Sequence, residues 1–265
     1  MTHSEQRIWL IDALIAEQPR YHGLDVPRDP HEQFQLLRSL MNVREPASIG
    51  EEFLRVQDAF LCEETAAKGV TRLEDLTPVE PGIYLWQGDI TTLACDAIVN
   101  AANSGMTGCY VPCHGCIDNA IHTYAGIQLR SFCGEIMDAQ GRAEPTGRAK
   151  ITPAFNLPCR YVLHTVGPIV RGRLTAGDEA LLASCYRSCL EAASENGLSS
   201  VAFCCISTGE FHFPNRRAAE TAVETVRAFR AGAAEAGGSG TEDISVIFNV
   251  WKDLDLEIYR ELLGA

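Results

Sequence analysis

The sequence predicts an α/β protein in which a largely parallel sheet is flanked by helices and preceded by a helical extension. Two observations carry this. From residue 83 onward, short β-branched and aromatic runs recur, and amphipathic stretches separate the later ones. That alternation builds strand–helix–strand units. Before residue 80 the apolar period is helical throughout, and the charge is lopsided. Eight basic against fifteen acidic residues there supply −7 of the chain's net −13. We therefore divide the chain into an extension, residues 1–80, and a main domain, residues 81–265.

Within the extension, Arg7 to Gln18 forms the first helical pattern. Asp29-Pro30-His31-Glu32 is a start signal, with Asp as N-cap, Pro at the first helical position and Glu completing a capping box. Phe34, Leu37 and Met41, with Leu36 and Leu40, then make one apolar face. Ser48-Ile49-Gly50-Glu51 repeats the box before Phe53, Ala59, Phe60 and Leu61. No chemistry is evident in this part, which reads as an appendage packed on the main domain. Leu76 to Gly82, with Pro78 and Pro81, reads as a linker.

Strands are predicted at Ile83–Gln87, Ala97–Val99, Tyr161–Val166, Val201–Ile206 and Ile244–Val250. Helices are predicted at Asn119–Leu129, at Asp178–Asn196 (Leu182, Tyr186, Cys189 and Ala193 on one face) and at Arg216–Ala231 (Ala219, Val223, Val226 and Arg230). Ala236 to Thr241 reads as a Gly/Ser loop. In such sheets ligands bind where strands end.

Composition narrows the function. At 46% apolar and 22% charged residues, the chain is an ordinary globular protein, neither disordered nor collagen-like. Its negative charge disfavours nucleic acid and anionic membrane. A phosphate-bearing ligand must then be held by backbone N–H groups or helix ends. No apolar run of membrane-spanning length occurs, and Asp12 interrupts the only apolar stretch near the start, so the expected compartment is the cytoplasm. Of eleven cysteines, Cys185, Cys189, Cys204 and Cys205 sit in apolar runs and read as small core residues. No P-loop, nucleophile elbow or H-E-x-x-H is present, and Gly238-Ser239-Gly240 lacks the third glycine of a dinucleotide fingerprint.

Three segments carry chemistry. Gly88-Asp89-Ile90-Thr91 follows the first strand; Asp89 can accept from a base amine or simply cap a turn. Asn100-Ala101-Ala102-Asn103 opens a second segment that runs to Asp118. In it, Cys109, His114 and Cys116 place three soft donors within eight residues, a set suited to Zn²⁺. Three protein ligands characterise a catalytic metal, able to activate water or polarise an oxygen. Cys113 as a fourth ligand, a Cys113/Cys116 redox pair and an incidental loop are the alternatives. Asp118 either caps the following helix or acts on substrate, and His122 is more simply a packed histidine. The third segment, Ser207-Thr208-Gly209-Glu210-Phe211, lies between a strand and a helix, where successive N–H groups can form an anion cradle. Phe211 and Phe213 are pocket or core residues. Glu210 suits a phosphate site only if its side chain points away.

In this order and spacing, the three segments resemble a macrodomain, the ADP-ribose-binding three-layer α/β/α fold with a central, mostly parallel mixed sheet. The Cys109–Asp118 insertion is similar to that of the zinc-dependent subgroup, which hydrolyses mono-ADP-ribose from proteins. The likeness covers residues 80 to 263, and similar members carry a helical extension of this length. It implies that Asp89 reads the adenine amine with the Ile90 backbone beside it, and that Asn103 contacts the distal ribose. Cys109, His114 and Cys116 would bind one zinc, with Cys116, Ile117 and Asp118 along the phosphate and distal ribose. Ser207, Thr208, Gly209, Glu210 and Phe211 would wrap the diphosphate. Asn249, followed by Val250 and Trp251, would lie on the adenine side, Trp251 either stacking or only packing. Asn103 and Asp118 would be catalytic, orienting the attacking water. The resemblance further implies a mono-ADP-ribosylated protein as substrate, with a lipoyl-carrier protein and a sirtuin-type ADP-ribosyl transferase as partners. A non-catalytic ADP-ribose reader with structural zinc and an O-acetyl-ADP-ribose deacetylase are the rival readings.

Overall fold

The computed structural model describes residues 1–235 and 244–265. The Gly/Ser loop read at Ala236–Thr241, with Gly238-Ser239-Gly240, lies outside them.

Three helices build the extension: α1 (His3–Glu17), α2 (Pro30–Val43) and α3 (Glu51–Lys68). The first starts four residues before the predicted Arg7, because Thr2 and Glu5 form a reciprocal capping box that the apolar pattern does not show. The second starts as predicted at the Asp29 N-cap, whose carboxylate accepts from the His31 and Glu32 N–H groups, but the return bond from the Glu32 side chain that would complete the expected capping box is not made. The third does not start at Ser48. Gly50 is its N-cap, and no side chain caps it. Leu10, Leu14, Leu37, Met41, Phe53 and Phe60 form the extension's own core, into which the main domain inserts Ile127.

The strands are β1 (Thr71–Arg72), β2 (Pro78–Glu80), β3 (Ile83–Gln87), β4 (Leu93–Ala94), β5 (Ala97–Ala102), β6 (Ala149–Pro153), β7 (Tyr161–Val166), β8 (Ser200–Phe203) and β9 (Ser245–Val250). Seven of them form one mixed sheet in the order β2-β3-β9-β8-β5-β7-β6, while β1 and β4 pair separately. The five central strands are mutually parallel; β2 and β6 run antiparallel at the edges. The segment predicted as a linker thus holds an edge strand. Pro78 opens it, a position where a missing N–H costs no ladder bond. Strand β6 is not marked in the sequence because Ala149-Lys150-Ile151-Thr152-Pro153 carries a lysine and ends in proline. Strand β8 stops at Phe203, three residues before the predicted end, and Cys204-Cys205-Ile206 turn into the following loop.

The helices of the main domain are α4 (Ile117–Ala125), α5 (Ile127–Gln140), α6 (Ala176–Glu195), α7 (Asn215–Glu235) and α8 (Asp253–Leu263). The single helix predicted at Asn119–Leu129 is divided between α4 and α5 at Gly126, whose φ of +92° ends the first helix. A Cβ there would also sit 2.6 Å from the Gln57 amide of α3. Helices α4 and α5 cover one face of the sheet, and α6, α7 and α8 pack on one another over the other face. The extension docks through α2 and α3 onto α4. Among the described residues, no helix is long and apolar enough to cross a membrane. Parallel alignment sends the carboxyl ends of β3, β9, β8, β5 and β7 to one edge of the sheet, where the loops form a concave surface.

Candidate functional site

A cavity of about 1040 Å³ opens at that edge. It brings together every residue assigned to the site from sequence: Asp89, Ile90, Asn103, Cys109, His114, Cys116, Ile117, Asp118, Ser207, Thr208, Gly209, Glu210, Phe211 and Asn249. It also takes in Arg38 and Lys68 from the extension. The reading of residues 1–80 as free of site chemistry is therefore corrected. No motif marks these two cations; they reach the cavity only because α2 and α3 dock beside it.

At one end stands Asp89, which accepts from the Thr91 N–H at 3.0 Å, the Thr91 hydroxyl at 2.6 Å and the Lys68 ammonium at 2.8 Å. It caps the short turn Ile90–Thr92 and faces the cavity as well, so the two sequence alternatives coexist. Burial works against its charge, but the bonds from Lys68 and Thr91 outweigh that and hold its carboxyl below the ordinary range. Ile90 buries its side chain in the core. Asn249 donates to the Gly88 carbonyl at 2.9 Å and fixes the same turn. Trp251 is 71% exposed at the rim and packs on nothing that would bury it.

The middle of the cavity is a loop of backbone donors. Among the described residues, the N–H groups of Ser207, Gly209, Glu210 and Phe211 have no protein acceptor, although those of Thr208, His212 and Phe213 are bonded within the same loop. Ser207 adopts φ +66°, and its hydroxyl is buried with no partner. This geometry suits an anion cradle built from main chain, which needs no cationic side chain. The loop can approach the end of β7 because residue 167 is glycine; a Cβ there would meet the Ser207 hydroxyl at 2.0 Å. Phe211 lines the cavity and Phe213 is core. The Glu210 carboxylate faces His114 Nε2 at 3.7 Å, leaving the backbone of that residue to face the cavity.

At the far end lie the soft donors. Cys109 Sγ is 3.7 Å from His114 Nδ1, and the three donor atoms of Cys109, His114 and Cys116 lie within 4.8 Å of one another. Zn–S bonds of about 2.3 Å and Zn–N bonds of about 2.0 Å in a tetrahedron set donor separations of roughly 3.5–3.8 Å, so the set fits zinc with a small contraction. Cys113 is not in the group: its sulfur lies 3.2 Å from Ser39 Oγ and 3.3 Å from the Gln35 carbonyl. Cys116 is the N-cap of α4 and accepts from the Asn119 N–H at 3.4 Å. Burial, with Cys109 and Asp118 beside it, pushes its thiol up to about 12. A cation among these groups reverses that balance and favours the thiolate.

Asp118 does not cap the helix, since Cys116 does. It sits buried in the first turn of α4, accepting from Asn100 Nδ2 at 2.8 Å and Asn103 Nδ2 at 3.2 Å. Burial raises its carboxyl to about 6, while the two amides and Arg130 oppose that rise. Asn103 also donates to the Gly108 carbonyl at 3.0 Å and accepts from the Gly105 N–H at 2.8 Å. It thereby ties the start of the 109–116 loop to Asp118. Behind Asp118 lie His122, Cys133 and His164, all buried. Burial drives His122 well below, and His164 down to about 3. His164 is committed to Asn100 and Thr152, whereas both ring nitrogens of His122 are buried without a hydrogen-bond partner, Nε2 lying 3.6 Å from the Asp118 carboxylate.

Fold and site together define a class: an α/β/α protein whose cavity is lined in a row by a carboxylate, a loop of free backbone N–H groups and a close set of two thiols and an imidazole. The Macro domain family matches residues 99–222. A protein-ADP-ribose hydrolase of Treponema medium is 56% identical over 268 residues, covering 100% of this chain and 100% of its own. The protein-ADP-ribose hydrolase of Staphylococcus aureus (strain MSSA476) is 46% identical over 96% of this chain and 93% of its own. The Trypanosoma brucei macrodomain solved in complex with ADP-ribose shares 30% identity over 90% of this chain and 97% of its own, with a TM-score of 0.64. The chain belongs to the macrodomain family.

Proposed function

We propose that this protein removes mono-ADP-ribose from modified proteins by hydrolysis, using one zinc ion held by Cys109, His114 and Cys116. The observation that carries the proposal is the shared wall: the metal-type donors and the anion cradle line one cavity, with Asp118 and Asn103 beside the donors. The full-length likeness to proteins named protein-ADP-ribose hydrolase supports the reaction. The ADP-ribose complex of the Trypanosoma brucei macrodomain supports the ligand.

In this reading Asp89 accepts from the adenine amine, with Ile90 and Asn249 shaping the base site. The N–H groups of Ser207, Gly209, Glu210 and Phe211 hold the diphosphate, with Thr208 in the same turn. The first N–H groups of α4, at Ile117 and Asp118, add positive potential from the helix end. Anchoring at two points carries the distal ribose to Cys116 and Asp118, so that orientation supplies much of the rate. When bound, zinc contributes Lewis-acid polarisation of an oxygen held next to it. Asp118, fixed by Asn100 and Asn103, accepts a hydrogen bond from the attacking water and aims it at the anomeric carbon. A cytoplasmic setting keeps the thiols of Cys109 and Cys116 reduced. Lipoyl-carrier protein modified by a sirtuin-type transferase is the substrate to try first.

The test follows free ADP-ribose released from a mono-ADP-ribosylated protein, before and after chelation and after Zn²⁺ is returned. Release that stops with chelation and resumes with zinc is the expected result. Tight binding of the modified protein without release, whatever the metal content, would make the protein a reader.

A further inference from the structure

We propose that helix α2 of the extension braces the metal loop, with Arg38 as the main positioning residue and Cys113 as the loop's anchor. The inference rests on the zinc reading above and assigns a task to part of the extension.

Residues 109–116 form an irregular loop whose internal backbone bonding is a single His114-to-Val111 contact of 3.2 Å among the described residues. A loop so lightly tied to itself does not hold three donors in register unaided. The restraint comes from outside. Arg38 Nη2 donates to the His114 carbonyl at 2.9 Å, and Arg38 Nε and Nη2 donate to Asn119 Oδ1 at 3.0 and 2.7 Å. Asn119 passes the restraint back to the loop by donating to the Val111 carbonyl at 3.0 Å. At the other end, Arg130 donates to the Cys109 carbonyl at 3.2 Å and to the Arg44 carbonyl, just past α2, at 3.0 Å. The carbonyls of two of the three ligand residues are thus each gripped by a guanidinium that is tied to α2 or belongs to it.

Cys113 explains how the loop is turned. Its φ is +51°, a conformation that L side chains rarely adopt. Three bonds to α2 hold it there: its N–H donates to Asn42 Oδ1 at 2.9 Å, and its sulfur meets the Gln35 carbonyl and Ser39 Oγ. The twist points the Cys113 sulfur at the helix, although its neighbour His114 belongs to the donor set. A thiol adjacent to a ligand is thereby kept out of the ligand set. Partners behind metal ligands are worth about 10- to 100-fold in metal affinity, which sets the scale for Arg38.

The experiment measures Zn²⁺ affinity of the full chain by competition with a chromogenic chelator. Arg38→Met is expected to weaken Zn²⁺ by about 10- to 100-fold. Arg38→Lys recovers part of that through one donor to the His114 carbonyl but lacks the planar fork. Hydrogen exchange of the metal-free chain is a readout without zinc: amides of 109–116 exchange faster in Arg38→Met, while those of β5 and β8 keep their protection. Cys113→Ala carries the same test should Arg38→Met not fold. It weakens Zn²⁺ severalfold yet leaves the thiolate-to-cobalt absorption of the Co²⁺-loaded chain at its wild-type intensity, because Cys113 is an anchor and not a ligand. Wild-type protein that holds no Zn²⁺ overturns the metal reading itself. Wild-type zinc binding with unchanged affinity in Arg38→Met and Cys113→Ala overturns the brace alone.

Discussion

The two loops that meet in the cavity solve opposite problems with opposite materials. Residues 109–116 present side chains: two sulfurs and an imidazole converge, and the main chain is held by neighbours. Residues 207–211 present main chain: their free N–H groups converge, and the one charged side chain, Glu210, is directed at His114. Under the proposed function, the contrast explains how a chain of net charge −13 would hold a diphosphate. Backbone dipoles supply the positive potential locally, and acidic residues elsewhere are unaffected. Under the same proposal binding and turnover are separable, because the free N–H groups belong to a different loop from Cys109, His114 and Cys116.

Separability can be broken from either side. The largest effect belongs to Cys109→Ala, which removes a donor from the metal set. Zinc content is expected to fall to background and ADP-ribose release to drop at least about 100-fold, while ADP-ribose affinity, read by calorimetry, stays within a few-fold. Gly167→Ala is the converse. Its Cβ collides with Ser207 and displaces the cradle, so ADP-ribose affinity is expected to weaken about tenfold, the low end of an overpacking cost of about 1–3 kcal/mol. Zinc content should be untouched, and loss of zinc in that variant would show the two loops to be one cooperative unit. Smaller still is Asp89→Asn, which weakens ADP-ribose severalfold by removing the charged acceptor.

A pH series sharpens the last comparison. The folded-state pKa of Asp89 is held below its unfolded value, so its ion pair with Lys68 stabilises the fold fully above about pH 4 and loses that contribution as pH falls through the folded value. The melting-temperature gap between wild type and Asp89→Asn should therefore be constant from neutral pH to about 5 and close below about 4. A gap that closes near neutral pH would mean that Asp89 is not ionised in its pair with Lys68.

The side-chain loop was legible in the sequence and the backbone loop only partly so. Cys109, His114 and Cys116 announce themselves because donor type and spacing are written in residue identity. Ser207 to Phe211 announce little; any small residues there allow a cradle, and the free N–H groups emerge only from tertiary bonding. Strands β3 and β7 were readable end to end, since Ile83-Tyr84-Leu85-Trp86 and Tyr161-Val162-Leu163 are runs of β-branched, aromatic and aliphatic residues. Edge strands β2 and β6 were not, because β2 has only three residues and opens with proline, and β6 carries a lysine and ends in proline. Gly126 sits inside a helical pattern, and its positive φ is invisible without the packing that demands it. Arg38 and Lys68 left no trace at all. Their roles arise from docking between two cores, and a cation on a helix face looks the same whether it meets solvent or a ligand loop.

The most direct measurement takes chelator-stripped wild-type protein and records, on the same sample, equilibrium ADP-ribose binding and release of ADP-ribose from a modified protein. Binding is expected to persist, weakened by about tenfold or less, while release is lost until Zn²⁺ is restored. Undiminished release from the stripped protein, or loss of ADP-ribose binding together with the metal, would contradict the proposed function.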